Sequence, residues 1–333
     1  MRNRLSILFF FFSVTLRALA QTGGEAFTFL RLPTSARANA LGGHTVALVE
    51  RDPSLIFHNP ALLGAEMDGM INLNYMNYIS DVNVGSALFT KAHGERAAWG
   101  VGATFIGYGD IQEALPGNVV TGASVSAKDI SVNGFYARDL NERWRGGLAL
   151  KFLYSGLADY TSIGLCVDAG LSYYNSEKGF SFGFALKNIG AQLKAYEDER
   201  QKMPWDIQLG ISQKLSHAPL RLSLTAQYLN RWKFDYVDNT NVEQKDDSFF
   251  KTFAKHLIIG VDFVPSDNFW VGVGFNPKVN MDMKLQGGGS FSGFSAGAGV
   301  RIKMFDVGFS LAKYHPSALS LMLSVSTTLE DFK

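Results

Sequence analysis

Alternation with a period of two runs through most of this chain. Leu220, Leu222, Leu224, Ala226 and Tyr228 interleave with Arg221, Ser223, Thr225 and Gln227. Phe180, Phe182, Phe184 and Leu186 interleave with Ser181, Gly183, Ala185 and Lys187, and Leu319, Leu321, Leu323 and Val325 with Ser320, Met322, Ser324 and Ser326. Successive strand residues point to opposite faces, so each segment carries one apolar face and one small or polar face. The second face separates a soluble sandwich from a membrane barrel. It is rich in Gly, Ala and Ser and poor in charge, as at Gly100, Gly102, Gly272, Gly274, Gly308 and Ser310. A water-washed sheet surface carries more Lys, Glu and Thr, whereas small residues suit the inside of a curved wall around a filled lumen. Aromatic residues at strand ends, such as Trp99, Trp144, Tyr173, Trp205 and Trp270, suit interface girdles.

The pattern predicts an all-β, antiparallel outer-membrane β-barrel of about fourteen strands, an even number as bacterial barrels require. The strands are expected to begin near Met70, Val82, Ala97, Asp129, Trp144, Tyr160, Phe180, Trp205, Leu220, Lys255, Phe269, Phe291, Lys303 and Ala318. The even-numbered connections read as short turns, for example His93-Gly94-Glu95, Asn141-Glu142-Arg143 and Ser176-Glu177-Lys178. Long loops are expected near 109–128, 190–204, 233–254 and 277–290, all at the opposite end. Short periplasmic turns and long external loops are the outer-membrane arrangement, which puts the N-terminus at the periplasmic side.

The segment ahead of the first strand has no such alternation. It divides into an expected signal peptide, 1–20, and an N-terminal plug or hatch, 21–66, before a barrel over 67–333. Arg2 and Arg4 precede an apolar run from Leu5 to Leu16 and an Ala18-Leu19-Ala20 cleavage site, a run too short to span a bilayer as a helix. In the plug, Pro33 leads to Thr34 or Ser35 as the cap of a short helix through Ala36, Ala38 and Leu41, ended by Gly42 and Gly43. Asp52-Pro53 and Asn59-Pro60 each mark a turn, because proline pushes the residue before it out of the α region.

These residues carry a resemblance. Leu32-Pro33-Thr34-Ser35-Ala36-Arg37-Ala38, Ala40-Leu41-Gly42-Gly43, Asp52-Pro53-Ser54 and Asn59-Pro60-Ala61-Leu62-Leu63 resemble the hatch of the PorV/PorQ family of the type IX secretion system, outer-membrane barrels related in architecture to FadL channels. The LPTSAR form, followed by Leu73-Asn74-Tyr75-Met76-Asn77-Tyr78, is more similar to the PorQ branch than to the PorV branch. The resemblance implies a non-enzymatic part of the surface attachment complex, anchoring a PorZ-like surface protein. A PorU-like sortase, a PorV-like barrel, outer-membrane lipids and lipopolysaccharide would be its other partners. The alternatives are a FadL-like channel for hydrophobic small molecules and a PorV-like cargo carrier.

Charge and chemistry narrow the field further. The 31 bases and 30 acids give a formal +1; without Arg2, Arg4 and Arg17 the mature chain has 28 bases and a formal −2. Nothing here points to nucleic acid. One cysteine, Cys166, excludes an internal disulfide framework and reads as a small hydrophobe in a strand. Gly293-Phe294-Ser295-Ala296-Gly297 matches a nucleophile elbow but sits in a continuing strand, and the S-x-x-K matches at Ser248 and Ser310 lack their companion motifs. The six histidines are scattered and the acidic clusters lack calcium-loop spacing, so no catalytic, metal or cofactor site is expected. The external loops remain the place for function. Phe234, Tyr236, Phe249 and Phe250 in one loop and Tyr196 in another are the candidate partner contacts. Lys151, Lys187, Arg221 and Arg138 are expected in the lumen, pinning the plug through Glu50, Asp52 and Glu66.

Overall fold

The computed structural model describes residues 24–115, 119–197, 199–232, 234, 248–283 and 291–329. The expected signal peptide, Tyr236, the rest of 235–247 and the loop over 284–290 lie outside them. Among the described residues, fourteen antiparallel strands close into one barrel. They are β1 (Met70–Asn77), β2 (Asn83–Ala92), β3 (Ala97–Leu115), β4 (Val119–Asp139), β5 (Trp144–Leu157), β6 (Tyr160–Asn175) and β7 (Phe180–Lys194). There follow β8 (Asp206–Lys214), β9 (Leu220–Ala226), β10 (Leu257–Ser266), β11 (Phe269–Phe275), β12 (Phe294–Ile302), β13 (Phe305–His315) and β14 (Ala318–Thr328). Every strand pairs with its sequence neighbours, and β1 meets β14 with Met70 opposite Thr328. Closure leaves no unpaired edge, which is what a sheet in hydrocarbon needs.

The alternation sets the faces. Along β1, Leu73 and Tyr75 point outward and are about half exposed, while Asn72 and Asn74 are buried in the lumen. There Asn72 donates to Ser324 and Ser326, and Asn74 donates to Ser86. Outward Leu, Phe and Val against inward Ser, Thr and Asn is the reverse of a soluble core and the arrangement of a membrane barrel.

Connections at one end are two to five residues long, from 93–96 to 303–304. Three at the other end are much longer: 195–205, 227–256 and 276–293. The fourth expected long loop, 109–128, is instead mostly strand. β3 and β4 continue as a hairpin, Asp110 opposite Ser126 and Leu115 opposite Val119, past two register shifts. Backbone pairing continues there although the residue pattern of the lower wall does not, and Gly109, at φ 69°, absorbs the first shift. Two loops contain helices that period-two reasoning passes over: α2 (Phe249–His256) and α3 (Pro277–Asp282).

The plug fills the lumen. Its helix α1 (Ala36–Ala40) and short 3-10 turns bury Leu41, Leu48, Leu55, Ile56, Leu62, Leu63 and Met67 almost completely. Burying side chains of this kind is worth roughly 1.5–3 kcal/mol each relative to water. The wall makes room through glycine. A Cβ on Gly183 would overlap the carbonyl of Val46, and one on Gly274 would overlap the Leu41–Gly42 peptide. The plug begins at the end of the barrel opposite the short-turn end where the sequence pattern puts it. Ala26 N–H donates to the Lys202 carbonyl at 2.9 Å, within the long connection 195–205, so the first described residues lie at the long-loop end. The plug then threads the lumen and enters β1 at the short-turn end, where Glu66 meets Arg145.

Candidate functional site

The plug motif residues are where local structure needs them. Ser35, not Thr34, caps α1 by accepting from Ala38 N–H, and Thr34 lines an interior cavity. Gly42 and Gly43 leave the helix at φ 101° and 104°, conformations that favour glycine. Asp52 accepts from the Ser54 backbone and hydroxyl at 2.9 and 2.6 Å, and Asn59 accepts from Ala61 N–H at 3.0 Å while donating to the Val46 carbonyl at 2.7 Å. Pro33, Pro53 and Pro60 are buried beside them. Asp52 is thus a turn former rather than a partner for a wall cation.

Arg37 joins the plug to the wall. Its Nε is 2.9 Å from Glu50 of the plug and its Nη2 is 2.9 Å from Asp262 on β10. Arg221 on β9 pairs with the same two carboxylates, at 3.1 Å to Asp262. The guanidinium of Arg37 lies 4.3 Å from the Trp270 ring centroid, so Trp270 faces the lumen and not a membrane girdle. Two arginines and two acids make a neutral ring. Burial raises the Glu50 pKa, but Arg221 and then Arg37 outweigh it and hold the carboxyl at about 2.

A second cluster sits higher in the lumen. Lys151 on β5 and Lys187 on β7 both reach Asp168 on β6, at 2.6 and 2.8 Å, and Lys187 donates to the Phe57 carbonyl of the plug. Near it the plug brings His44 and His58 together, ring centroids 5.5 Å apart. Burial, then the charge of Lys187, pushes His44 down to about 4; burial, then His44 and Lys187, pushes His58 well below its ordinary value. Both are neutral at pH 7. Arg138 is not in this lumen: strand parity puts it on the exposed face, and Arg145 takes Glu66 instead.

Ser295 of the apparent nucleophile elbow is a structural hydroxyl. It accepts from Gly42 N–H at 2.9 Å and donates to the Ala40 carbonyl at 3.0 Å, so the motif holds the end of α1. Ser310 likewise accepts from Asn39 at 2.9 Å. Cys166 is buried in the wall.

At the long-loop end, α2 turns one face outward. Phe250 is 81% exposed and Phe249 64%, with Phe253 and Trp232 beside them about half exposed. On the opposite face Lys255 lies 3.2 Å from Asp282 of α3, while buried His256, on the same side of the helix as Phe249 and Phe253, stacks on Trp232 at 4.9 Å. Two of the candidate partner contacts are not presented in this way. Phe234 is half-buried, 5.0 Å from the His256 ring and under Lys278, and Tyr196 donates to Ser155 in a chain that continues to Asp129 and Tyr108. Both are only partly exposed, Phe234 held by a ring and a cation and Tyr196 by its hydroxyl.

Residues 154–320, half of the chain, match the family model of the type IX secretion system membrane protein PorP/SprF. The chain belongs to that family. Its barrel is similar to those of several solved channels. A Pseudomonas aeruginosa FadL homologue shares 12% identity at a TM-score of 0.52, covering 89% of this chain and 98% of that one. The Pseudomonas putida toluene transporter TodX shares 10% at 0.55, covering 89% and 97%, and the monoaromatic hydrocarbon channel CymD 13% at 0.54, covering 91% and 99%. At such identities the likeness is one of fold. No curated protein matches the chain.

Proposed function

We propose that this type IX secretion system barrel acts without chemistry of its own, as a PorQ-like tether. It would hold a PorZ-like protein at the cell surface, near a PorU-like sortase and a PorV-like barrel, while cargo is joined to lipopolysaccharide. The observation that carries this reading is the aromatic face of α2. Phe249, Phe250, Phe253 and Trp232 stand exposed at the long-loop end, backed by Lys255–Asp282 and the His256 stack. Exposed aromatics on a braced element are what partner anchors consist of. The support beneath is firm, because buried ion pairs of Arg37 and Arg221 fix the plug to the wall at one level and Lys187 of the wall donates to the Phe57 carbonyl of the plug at another.

The FadL-like channel is the competing reading, and the fold alone permits it. Against it, the cavity between plug and wall at the level of His58 has a volume of about 50 Å³ and lysine, asparagine and glutamine in its lining. A cavity that takes up benzene is roughly 150 Å³ and apolar. The wider recesses, about 900 and 360 Å³, flank Glu50 and Arg51 at the short-turn end and are lined with charge.

A pull-down from native outer membranes, with a tag in an external loop, tests the tether. Recovery of PorZ-like and PorU-like proteins, lost in the Phe249→Ser, Phe250→Ser variant, is the expected result. Recovery of the barrel alone with retained hydrophobic small molecules would support the channel.

A further inference from the structure

The lysine cluster carries a charge that the described residues around it do not balance. Lys151, Lys187 and Asp168 are all buried, and one oxygen, Asp168 Oδ2, serves both ammonium groups. Its other oxygen accepts from Asn188 N–H at 2.7 Å. The remaining acceptors on the lysines are neutral: Asn188 Oδ1 for Lys151, at 2.9 Å, and the Phe57 carbonyl for Lys187. Two cations and one anion leave a net +1 away from water, where an uncompensated charge is strongly unfavourable. The Arg37 ring, with two of each sign, shows no such surplus.

Beside the surplus lies the cavity of about 50 Å³, lined by both lysines, both histidines, Asn133 and Gln208 among others. At 10–15 Å³ per water-sized position it has room for about three to five such positions. His58 is buried, and its Nε2 has no hydrogen-bond partner. The charged and titratable groups acting on His58 are His44, Lys187 and Lys151. The lining also contains one buried acid, Asp206, which among the described residues accepts from Gln208 at 2.7 Å through Oδ2, has no hydrogen-bond partner at Oδ1 and makes no ion pair with either lysine.

We propose that this cavity is a binding site for a small monovalent anion, between a halide and acetate in size. Each lysine has one N–H left beyond the two acceptors described, and His58 in the tautomer protonated at Nε2 adds a third donor. The anion is a counter-ion shared between plug (His58) and wall (Lys151, Lys187), so binding it fixes one to the other. The volume admits no acyl chain.

Bromide is the probe. Crystals of the detergent-solubilised full chain, soaked in sodium bromide, are expected to give an anomalous peak touching both lysine Nζ atoms, and Lys187→Met is expected to lose it. A cavity holding only water while bromide appears elsewhere overturns the proposal, since one lysine is then neutral. Thermal denaturation at constant ionic strength gives a second readout that needs no variant. Replacing chloride by gluconate, too large for the cavity, is expected to lower the wild-type Tm by several degrees. Equal Tm in the two salts overturns the proposal even if Lys187→Met fails to fold.

Discussion

Arg221→Met tests how the plug is held. The substitution removes one of two cations that serve Glu50 and Asp262, leaving Arg37 alone between two carboxylates. The Asp262 side chain is fully buried, so water cannot replace the lost partner. Breaking a buried ion pair on one side costs about 3–5 kcal/mol. Glu50, at 22% side-chain exposure, is partly solvated and pulls the figure toward the lower end. At roughly 2 °C per kcal/mol for a chain of this size, the Tm in detergent is expected to fall by about 6–10 °C. Limited proteolysis is expected to open 45–52 before the barrel. The double variant Arg221→Met, Glu50→Gln removes a charge of each sign, and should lose less than the two single changes added together. A Tm within about 1 °C of wild type for Arg221→Met, the range of an ordinary surface substitution, would refute the ion-pair account of plug retention.

Acid should act in two steps. The depressed values of His44 and His58 mean that the unfolded chain binds protons first, so stability is lost as pH falls below about 6.5. Glu50, held at about 2 against an ordinary 4.5, adds stability above pH 4.5 that disappears between 4.5 and 2, and Glu50→Gln should flatten that second step of a Tm-against-pH curve. Gly183→Ala would drive a methyl into the Val46 carbonyl, for a cost of about 1–3 kcal/mol read as a lower Tm, with Gly134→Ala, which meets nothing, as the neutral control. Phe250→Ser should leave the Tm unchanged, since the ring is exposed, while reducing capture of the surface partner at least tenfold.

Much of the barrel was legible because its two faces meet different solvents. Lipid outside and plug inside force alternation, so eight strand starts, among them Met70, Trp144, Phe180 and Phe269, fall where the pattern places them. The misses have local causes. The β3–β4 hairpin beyond Gly107 stands above the part of the wall that faces both lipid and plug, so its residues lose the alternation while its backbone stays paired. Helices α2 and α3 are short and sit in loops rich in charge, where no period of two exists to be broken. For the plug, Ser35, Asp52 and Asn59 carry their capping roles in the residue preceding each turn. The wall acids were missed. Asp168 and Asp262 are single carboxylates on inward strand positions, and counting parity from Cys166 or Gly260 would have put them opposite the lumenal cations. The pairing of His44 with His58 depends on how the plug folds back and leaves no spacing signal.

The most direct test of the tether is photo-crosslinking in intact cells, with a benzophenone amino acid at position 250. The account predicts a surface-localised protein of the type IX attachment complex joined to the barrel, with the adduct absent when the probe is moved to lipid-facing Leu148. Adducts to lipid alone from position 250, with the attachment complex intact in a strain lacking this barrel, would contradict it.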